Sequence, residues 1–205
     1  MAKIKLTKNE LKKQRDSLKQ FLHYLPTLLL KKQQLQMTIL QARNLLEEKL
    51  RDLKTIGDEI SHWVVLLADA RVDLKKMVLP VSIAVDTANI AGANVPLFHS
   101  VNFEDIHYDL YATPLWIDEG IEELRWFISL WVETEVLKKQ IAILEHELRV
   151  TAQRVNLFEK VKIPECLENI RIIRIYLGDQ QANAVGISKV AKKKIEALEH
   201  EEVAA

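Results

Sequence analysis

The sequence predicts a mainly α-helical protein, in which the N- and C-terminal segments form a long antiparallel two-helix coiled coil around a small middle insert containing a β-hairpin. Three observations predict this fold. Apolar residues recur at spacings of three, four and seven in both outer segments, which is the pattern of a coiled-coil seam. The chain of 205 residues has only five Gly and five Pro, a composition typical of long helices. Between the seams, β-branched residues alternate with other residues, which indicates strands.

The first segment, residues 1–77, is predicted to be the N-terminal coiled-coil helix. Pro26 lies inside this helix, and a proline removes a backbone donor and clashes with the carbonyl four residues earlier. We therefore expect a bend near residues 22–26. The apolar seam of this segment consists of Leu11, Leu18, Leu22, Leu25, Leu29, Ile39, Ala42, Leu46, Leu50, Leu53, Ile60 and Val64.

The second segment, residues 78–116, is predicted to be the middle insert with the β-hairpin. Apolar residues two apart, such as Val81, Ile83 and Val85, indicate a strand, and residues 95–103 repeat the pattern. The loop is expected at residues 89–94, around Gly92. Because an isolated hairpin is only marginally stable in water, it should pack on the helices or on a partner.

The third segment, residues 117–178, is predicted to be the C-terminal coiled-coil helix. Pro114 upstream and the acidic pair Asp118 and Glu119 suit a helix N-terminus. Residues 179–205 are expected to form a short helix from Ile187 to Leu198 and a fraying tail. The seam of the third segment consists of Ile117, Ile121, Leu124, Ile128, Trp131, Leu137, Ile141, Leu144, Leu148, Val155, Phe158, Leu167, Ile170 and Leu177. The tryptophans at 63, 116, 126 and 131 are expected to pack in the core where helices and insert meet.

Charge is distributed unevenly, although the formal net charge is zero. Residues 1–54 carry 13 basic and 5 acidic side chains, whereas residues 80–135 carry 10 acidic side chains and a single basic one, Arg125. Such opposite fields suit different partners at different places along the chain. An alternative is that these are ordinary solvated helix faces.

No motif indicates chemistry. The chain contains neither a GxxxxGK nor a GxGxxG loop, and the six histidines never stand at metal-ligand spacing. We therefore predict no catalytic, cofactor-binding or metal-binding residues, and, because no recognised module is present, no nucleic-acid binding. The single cysteine, Cys166, cannot form an internal disulfide, which favours a cytoplasmic location. No apolar run approaches the length of a membrane span, so direct membrane insertion is not expected.

One dense motif remains, at residues 154–170. It reads RVNLFEKVKIPECLENI and resembles the signature RVNxLExVxIPxLExxI of the D subunit of the V-type and A-type rotary ATPases. Phe158 stands where leucine is usual, and Pro26 stands where the family usually has glycine. The matching positions are Arg154, Val155, Asn156, Glu159, Val161, Ile163, Pro164 and Ile170, with Leu167 and Glu168 one position later than the Leu-Glu of the signature, and with further matches at Lys31, Asn89, Ile90, Ala91, Gly92, Pro96, Lys189 and Lys192.

The resemblance implies a non-catalytic central rotor shaft without a cofactor, which transmits torque between the nucleotide-hydrolysing or ATP-synthesising head and the ion-translocating membrane rotor. The implied partners are the catalytic and regulatory nucleotide-binding subunits of the head, the small F subunit of the stalk, and a funnel-like subunit on the membrane rotor ring. The implied location is cytoplasmic and peripheral to the membrane. The implied stalk and ring contacts are Arg154, Val155, Asn156, Glu159, Ile163, Pro164, Leu167, Glu168, Lys31, Lys189 and Lys192, and the hairpin loop is Asn89, Ile90, Ala91, Gly92 and Pro96.

Two other classes of protein fit parts of the sequence. A generic cytoplasmic coiled-coil scaffold or tether would need only the heptads and not the signature. A small enzyme on a helical hairpin would need a nucleophile and a base at useful spacing, which the sequence does not offer. Copurification separates the three, because only a shaft brings down a large ATPase assembly.

Overall fold

The fold is that of a computed structural model, which describes residues 4–68, 77–105 and 113–203, with side chains at 4–66, 77–105 and 113–196. The first helix, α1, spans Lys8–Trp63 and is followed by a 3-10 turn at Val64–Ala68. Strand β1 spans Pro80–Ile90 and β2 spans Ala93–Phe103. Helix α2 spans Ile117–Leu157, a π-helical turn follows at Phe158–Lys162, and α3 spans Ile163–Val203. Two long helical segments with a small hairpin between them confirm the predicted fold class.

Helix α1 begins at a side-chain cap. Thr7 Oγ1 accepts a hydrogen bond of 3.3 Å from the backbone N–H of Glu10, which satisfies one of the free donors of the first helical turn. The acidic Glu10 in this turn also suits the positive end of the helix dipole. The helix then continues through Pro26 for 56 residues. The bend at Pro26 stays a prediction.

The hairpin is longer and tighter than the sequence predicted. Its two strands are each 11 residues long and pair in antiparallel register, from Ile90 opposite Ala93 to Pro80 opposite Phe103. Only Ala91 and Gly92 connect them, both with positive φ, at 51° and 78°. Two successive positive φ values are characteristic of a tight hairpin turn. The loop expected at residues 89–94 is therefore a two-residue turn, and the other four residues belong to the strands.

The C-terminal helix is also longer than predicted. A separate short helix was expected from Ile187, whereas α3 runs without interruption from Ile163 to Val203. Gly178 and Gly186 lie inside α3 with no atom near the position of an added Cβ. A glycine weakens a helix by only about 1 kcal/mol relative to alanine, so neither residue ends it.

The described residues divide into two compact units. One unit comprises residues 30–152 and contains the hairpin. Within it, Lys31 contacts Glu147, Lys49 contacts Glu133 at 3.1 Å, and further along α1 lies Trp63, which contacts Glu123. Residues later in α1 therefore contact residues earlier in α2, so the two helices are antiparallel, as predicted.

The core of this unit has two clusters. In the first, the hairpin end, through Ala93 and Val95, packs on Leu35, Ile39 and Leu144 of the two helices. The hairpin therefore packs on the protein's own helices, one of the two expected outcomes. The second cluster contains Ile56, Ile60 and Leu130, with Leu53, Trp63, Leu124 and Phe127 packed against it.

The other unit comprises residues 1–29 and 153–205. The rings of Phe21 and Phe158 lie with centroids 5.0 Å apart, and Asn169 Nδ2 donates to Gln14 Oε1 at 3.4 Å. These pairs again run in opposite directions along the chain, so this part is also an antiparallel helix pair.

Seven predicted seam or core positions are wrong, because they are exposed: Leu22, Leu29, Leu50 and Val64 of the first seam, together with Trp126, Trp131 and Leu167. Trp126 and Trp131 were expected in the core, but they are 57% and 51% exposed. Leu167 was expected in the seam and is 53% exposed, whereas its neighbour Cys166 is buried. None of the helices in the described ranges has the long uncharged apolar stretch that crossing a membrane requires.

Candidate functional site

The signature segment presents its polar residues outward. Val155 is buried, whereas Arg154 and Asn156 on either side of it are exposed, as is Glu159. Residues two apart on a helix point in different directions, so Arg154 and Asn156 are accessible on two sides of the helix. Within the described part of the chain, Arg154, Asn156 and Glu159 make no hydrogen bond or ion pair. Their side chains are thus available to a partner.

The π-helical turn lies inside this segment. The backbone N–H of Ile163 donates to the carbonyl of Phe158, five residues earlier, instead of four as in an α-helix. Pro164, next in the chain, has no N–H to donate to the Lys160 carbonyl. The helix therefore has a wide turn directly before Pro164.

This wide turn also keeps the buried stripe in heptad phase on its far side. Val155 and Ile170 are both buried and stand 15 residues apart, one more than two heptads. A π-turn holds one extra residue, so the buried stripe continues in phase beyond it. Cys166, four residues before Ile170, then faces inward.

The second half of the segment carries an ion pair. Both Arg171 Nε and Nη2 donate to the Glu168 carboxylate, at 2.9 and 2.7 Å. The hydrogen bond from Arg171 lowers the pKa of Glu168 and the same bond raises the pKa of Arg171. Burial, followed by the nearby Glu165 charge, raises the pKa of the Cys166 thiol. Ile163 is half-buried and Pro164 is exposed.

The hairpin loop lies in the other unit and contacts the protein's own helices. Asn89 Oδ1 accepts a hydrogen bond of 3.0 Å from the Gly92 N–H, and Asn89 Nδ2 donates to Asn94 Oδ1. Ile90 and Ala91 pack on the cluster around Leu35. The motif around Gly92 therefore builds a tight turn and fixes it to the helices.

Lys31 lies beside the hairpin turn and not in the signature segment. Its Nζ lies 3.9 Å from Glu147 on α2 and only 3.4 Å from the place where a Cβ on Gly92 would stand. Gly92 thus serves two purposes, because it adopts a positive φ without strain and leaves room for the lysine. Pro96 is half-buried in β2.

Comparison with known proteins identifies the family. Residues 10–193 match the family described as the D subunit of ATP synthase. The V-type ATP synthase D subunit of Borreliella burgdorferi is 48% identical over 195 residues, which cover 95% of this chain and 96% of that protein. The proteins of the same description from Chlamydia pneumoniae and Chlamydia caviae are 36% and 35% identical, covering 94% and 98% of this chain and 93% and 97% of theirs.

The chain belongs to the family of ATP synthase D subunits. Two matched tail positions of this D-subunit chain, Lys189 and Lys192, lie exposed on α3. Lys192 Nζ is 3.5 Å from Glu196, an exposed pair of the kind that contributes little to stability. The structure therefore brings the signature residues together in one unit, places the hairpin and Lys31 in the other, and leaves the two lysines on the surface of α3.

One residue that organises the hairpin of this D-subunit chain was not singled out as a site from the sequence. Arg125 on α2 donates to the carbonyls of Met77 and Glu104, which flank the two strands, and its guanidinium lies 5.2 Å from the Phe103 ring centroid. The sequence feature that could have indicated this role is that Arg125 is the single basic residue between positions 80 and 135.

Proposed function

We propose that this chain is the central rotor shaft of a V/A-type ATP synthase and transmits torque between the nucleotide-binding head and the ion-translocating membrane rotor. In this role it is non-catalytic and works as a mechanical link on the cytoplasmic side of the membrane. A shaft whose faces differ biases the surrounding subunits between conformations according to its angle, and by linkage their closure turns the shaft.

The observation that supports this proposal best is the outward presentation of the signature residues. Arg154 and Asn156 are polar, exposed, directed to different sides, and bonded to nothing in the described ranges. A two-stranded tether does not require polar contact residues on more than one side. A shaft enclosed by other subunits contacts those subunits on every side. Side chains without a role in the free chain are available for such contacts.

The proposed partners follow from the family. They are the catalytic and regulatory nucleotide-binding subunits around the helices, the small F subunit of the stalk, and the funnel-like subunit above the membrane ring. The exposed signature segment and the lysines at 189 and 192 are the proposed contact residues. The hairpin loop, which packs on the chain's own helices, is proposed to position the strands beside it and not to bind a partner through its tip.

The test separates folding from coupling. Arg154→Ala and Asn156→Ala should each change the unfolding free energy of the isolated chain by no more than about 0.5 kcal/mol, the range usual for surface substitutions. In the reconstituted complex, each should lower the number of ions transported per ATP hydrolysed. Lys160→Ala is the matched control, since Lys160 is exposed in the same segment but lies outside the signature.

Chemical denaturation of the free variants and transport assays on the complexes give the two readouts. Normal coupling in both signature variants would remove these residues from the contact surface. A chain that copurifies with no ATPase subunits at all would contradict the shaft and favour the tether.

A further inference from the structure

A small cavity lies where α1 ends and α2 begins. Its volume is about 310 Å³, and it is lined by Trp63, Leu66, Trp116, Glu119, Gly120 and Glu123. All these residues belong to the unit of residues 30–152. Two indoles and two carboxylates therefore line one cavity.

The two indoles face the cavity because a glycine makes room for them. The ring centroids of Trp63 and Trp116 are 6.2 Å apart and the planes are inclined by 45°. A Cβ on Gly120 would lie 3.2 Å from Cε3 of Trp116 and 3.5 Å from Cη2 of Trp63. A glycine inside a helix weakens it by about 1 kcal/mol relative to alanine. The close approach of both rings to the α2 backbone accounts for glycine at this position.

The charge lining the cavity is wholly negative. Glu119 is exposed and makes no ion pair within the described ranges, while Glu123 is half-buried. Trp63 Nε1 donates to Glu123 Oε2 at 3.0 Å, which fixes the carboxylate beside the ring. A carboxylate accepts several hydrogen bonds, so Glu123 retains the capacity to bind a further donor. No basic side chain is among the described residues that line the cavity.

We propose that this cavity receives an arginine side chain of a protein partner. A guanidinium is attracted to the faces of tryptophan rings, and its planar fork of donors matches a carboxylate. Arginine suits the cavity better than lysine, because the flat guanidinium stacks on an indole while a compact, strongly hydrated ammonium does not. The contact is separate from the signature segment and does not depend on the rotor role.

A titration with small probes tests the chemistry. The full-length chain has four tryptophans, each of which contributes one indole N–H signal in ¹⁵N NMR. Arginine amide should shift the signals of Trp63 and Trp116 with a dissociation constant in the millimolar range, as expected for a single side chain. Trp126 and Trp131, which are exposed elsewhere, are internal controls. Citrulline amide, which has the same shape without the charge, should shift neither pair.

Two variants give the structural readout. Glu119→Gln combined with Glu123→Gln keeps the side-chain size, and it should weaken arginine amide binding at least about tenfold, since each tenfold change corresponds to about 1.4 kcal/mol. Gly120→Ala should displace the rings and abolish the response. Equal shifts from citrulline amide, equal shifts at Trp126, or unchanged binding by the double glutamine variant would each overturn the proposal.

A photo-crosslinking experiment in the intact assembly tests the partner. A benzophenone amino acid replaces Leu66, which lines the cavity and is exposed, and crosslinked peptides are identified by mass spectrometry. The expected product joins this position to another chain beside an arginine, with a lower yield in the double glutamine variant. Crosslinks confined to this chain, or to a segment of another chain without an arginine, would overturn the proposal.

Discussion

Replacing Arg125 by alanine should release the base of the hairpin from α2 while leaving the helices paired. Arg125 Nε and Nη2 donate to the Met77 carbonyl at 3.2 and 3.0 Å, and Nη2 also donates to the Glu104 carbonyl at 2.7 Å. Met77 precedes β1 and Glu104 follows β2, so one side chain holds both strand ends. The guanidinium also lies over the Phe103 ring.

The expected cost follows from these contacts. A hydrogen bond from a charged donor contributes about 1.5 to 3 kcal/mol, and a partly exposed cation over an aromatic ring adds about 0.5 to 1 kcal/mol. Arg125 is only partly buried, so water replaces some of what is lost. We therefore expect a net loss of about 2 to 3 kcal/mol, felt at the hairpin base. Arg125→Lys should recover less than half, because an ammonium cannot reproduce the fork.

Hydrogen exchange measured by mass spectrometry on the full-length chain checks this prediction. Peptides from β1 and β2 should exchange roughly 30-fold to 140-fold faster in Arg125→Ala, as a loss of about 2 to 3 kcal/mol implies. Peptides from the middle of α2 should be unchanged. Arg51→Ala is the control, because Arg51 forms only an exposed ion pair with Glu47. Wild-type exchange in both strands of Arg125→Ala would refute the reasoning.

Three further predictions concern single positions. Gly178→Ala should raise the unfolding free energy by about 1 kcal/mol, since Gly178 is helical and the space around its Cβ position is open. Gly92→Ala should lower the unfolding free energy by about 1 to 2 kcal/mol, because φ is positive at Gly92. Denaturant titrations in which both variants change stability in the same direction would contradict this. Cys166 should react with iodoacetamide more slowly in the folded chain than in urea, because burial raises the pKa of its thiol and covers it; equal rates by mass spectrometry would show that it is accessible. The hydrogen bond from Arg171 lowers the pKa of Glu168, so the stabilisation by this bond should be present above the ordinary glutamate pKa and lost as pH falls through the lowered pKa. The difference in melting temperature between wild type and Glu168→Gln should therefore shrink on acidification. A difference that grows on acidification would contradict the prediction.

The sequence determined the helices and the hairpin because their signals are local and periodic. The buried residues Ile39, Ile141 and Leu144 were in the predicted seams, since a helix repeats its faces every three to four residues. The alternation that begins at Val81 is equally local, and Gly92 alone indicated where the chain reverses. The signature at residues 154–170 likewise identified the family before any geometry was known.

Only the tertiary structure decided where the periodic pattern shifts. Leu167 was expected in the seam, whereas Leu167 is exposed and its neighbour Cys166 is buried. The π-turn at Phe158–Lys162 adds one residue to the helix before this stretch. Pro164 indicates from the sequence that one helical hydrogen bond is lost here, but it does not indicate that the helix accommodates an extra residue.

The position of the hairpin was also decided by tertiary contacts. The sequence left open whether it packs on the helices or on a partner, and its end lies on Leu35, Ile39 and Leu144. These residues are distant in sequence, as are Arg125 and the two carbonyls that it binds. Periodicity determines which face of a helix is apolar, but only the folded chain determines which segment covers that face, because many apolar segments satisfy the same hydrophobic requirement.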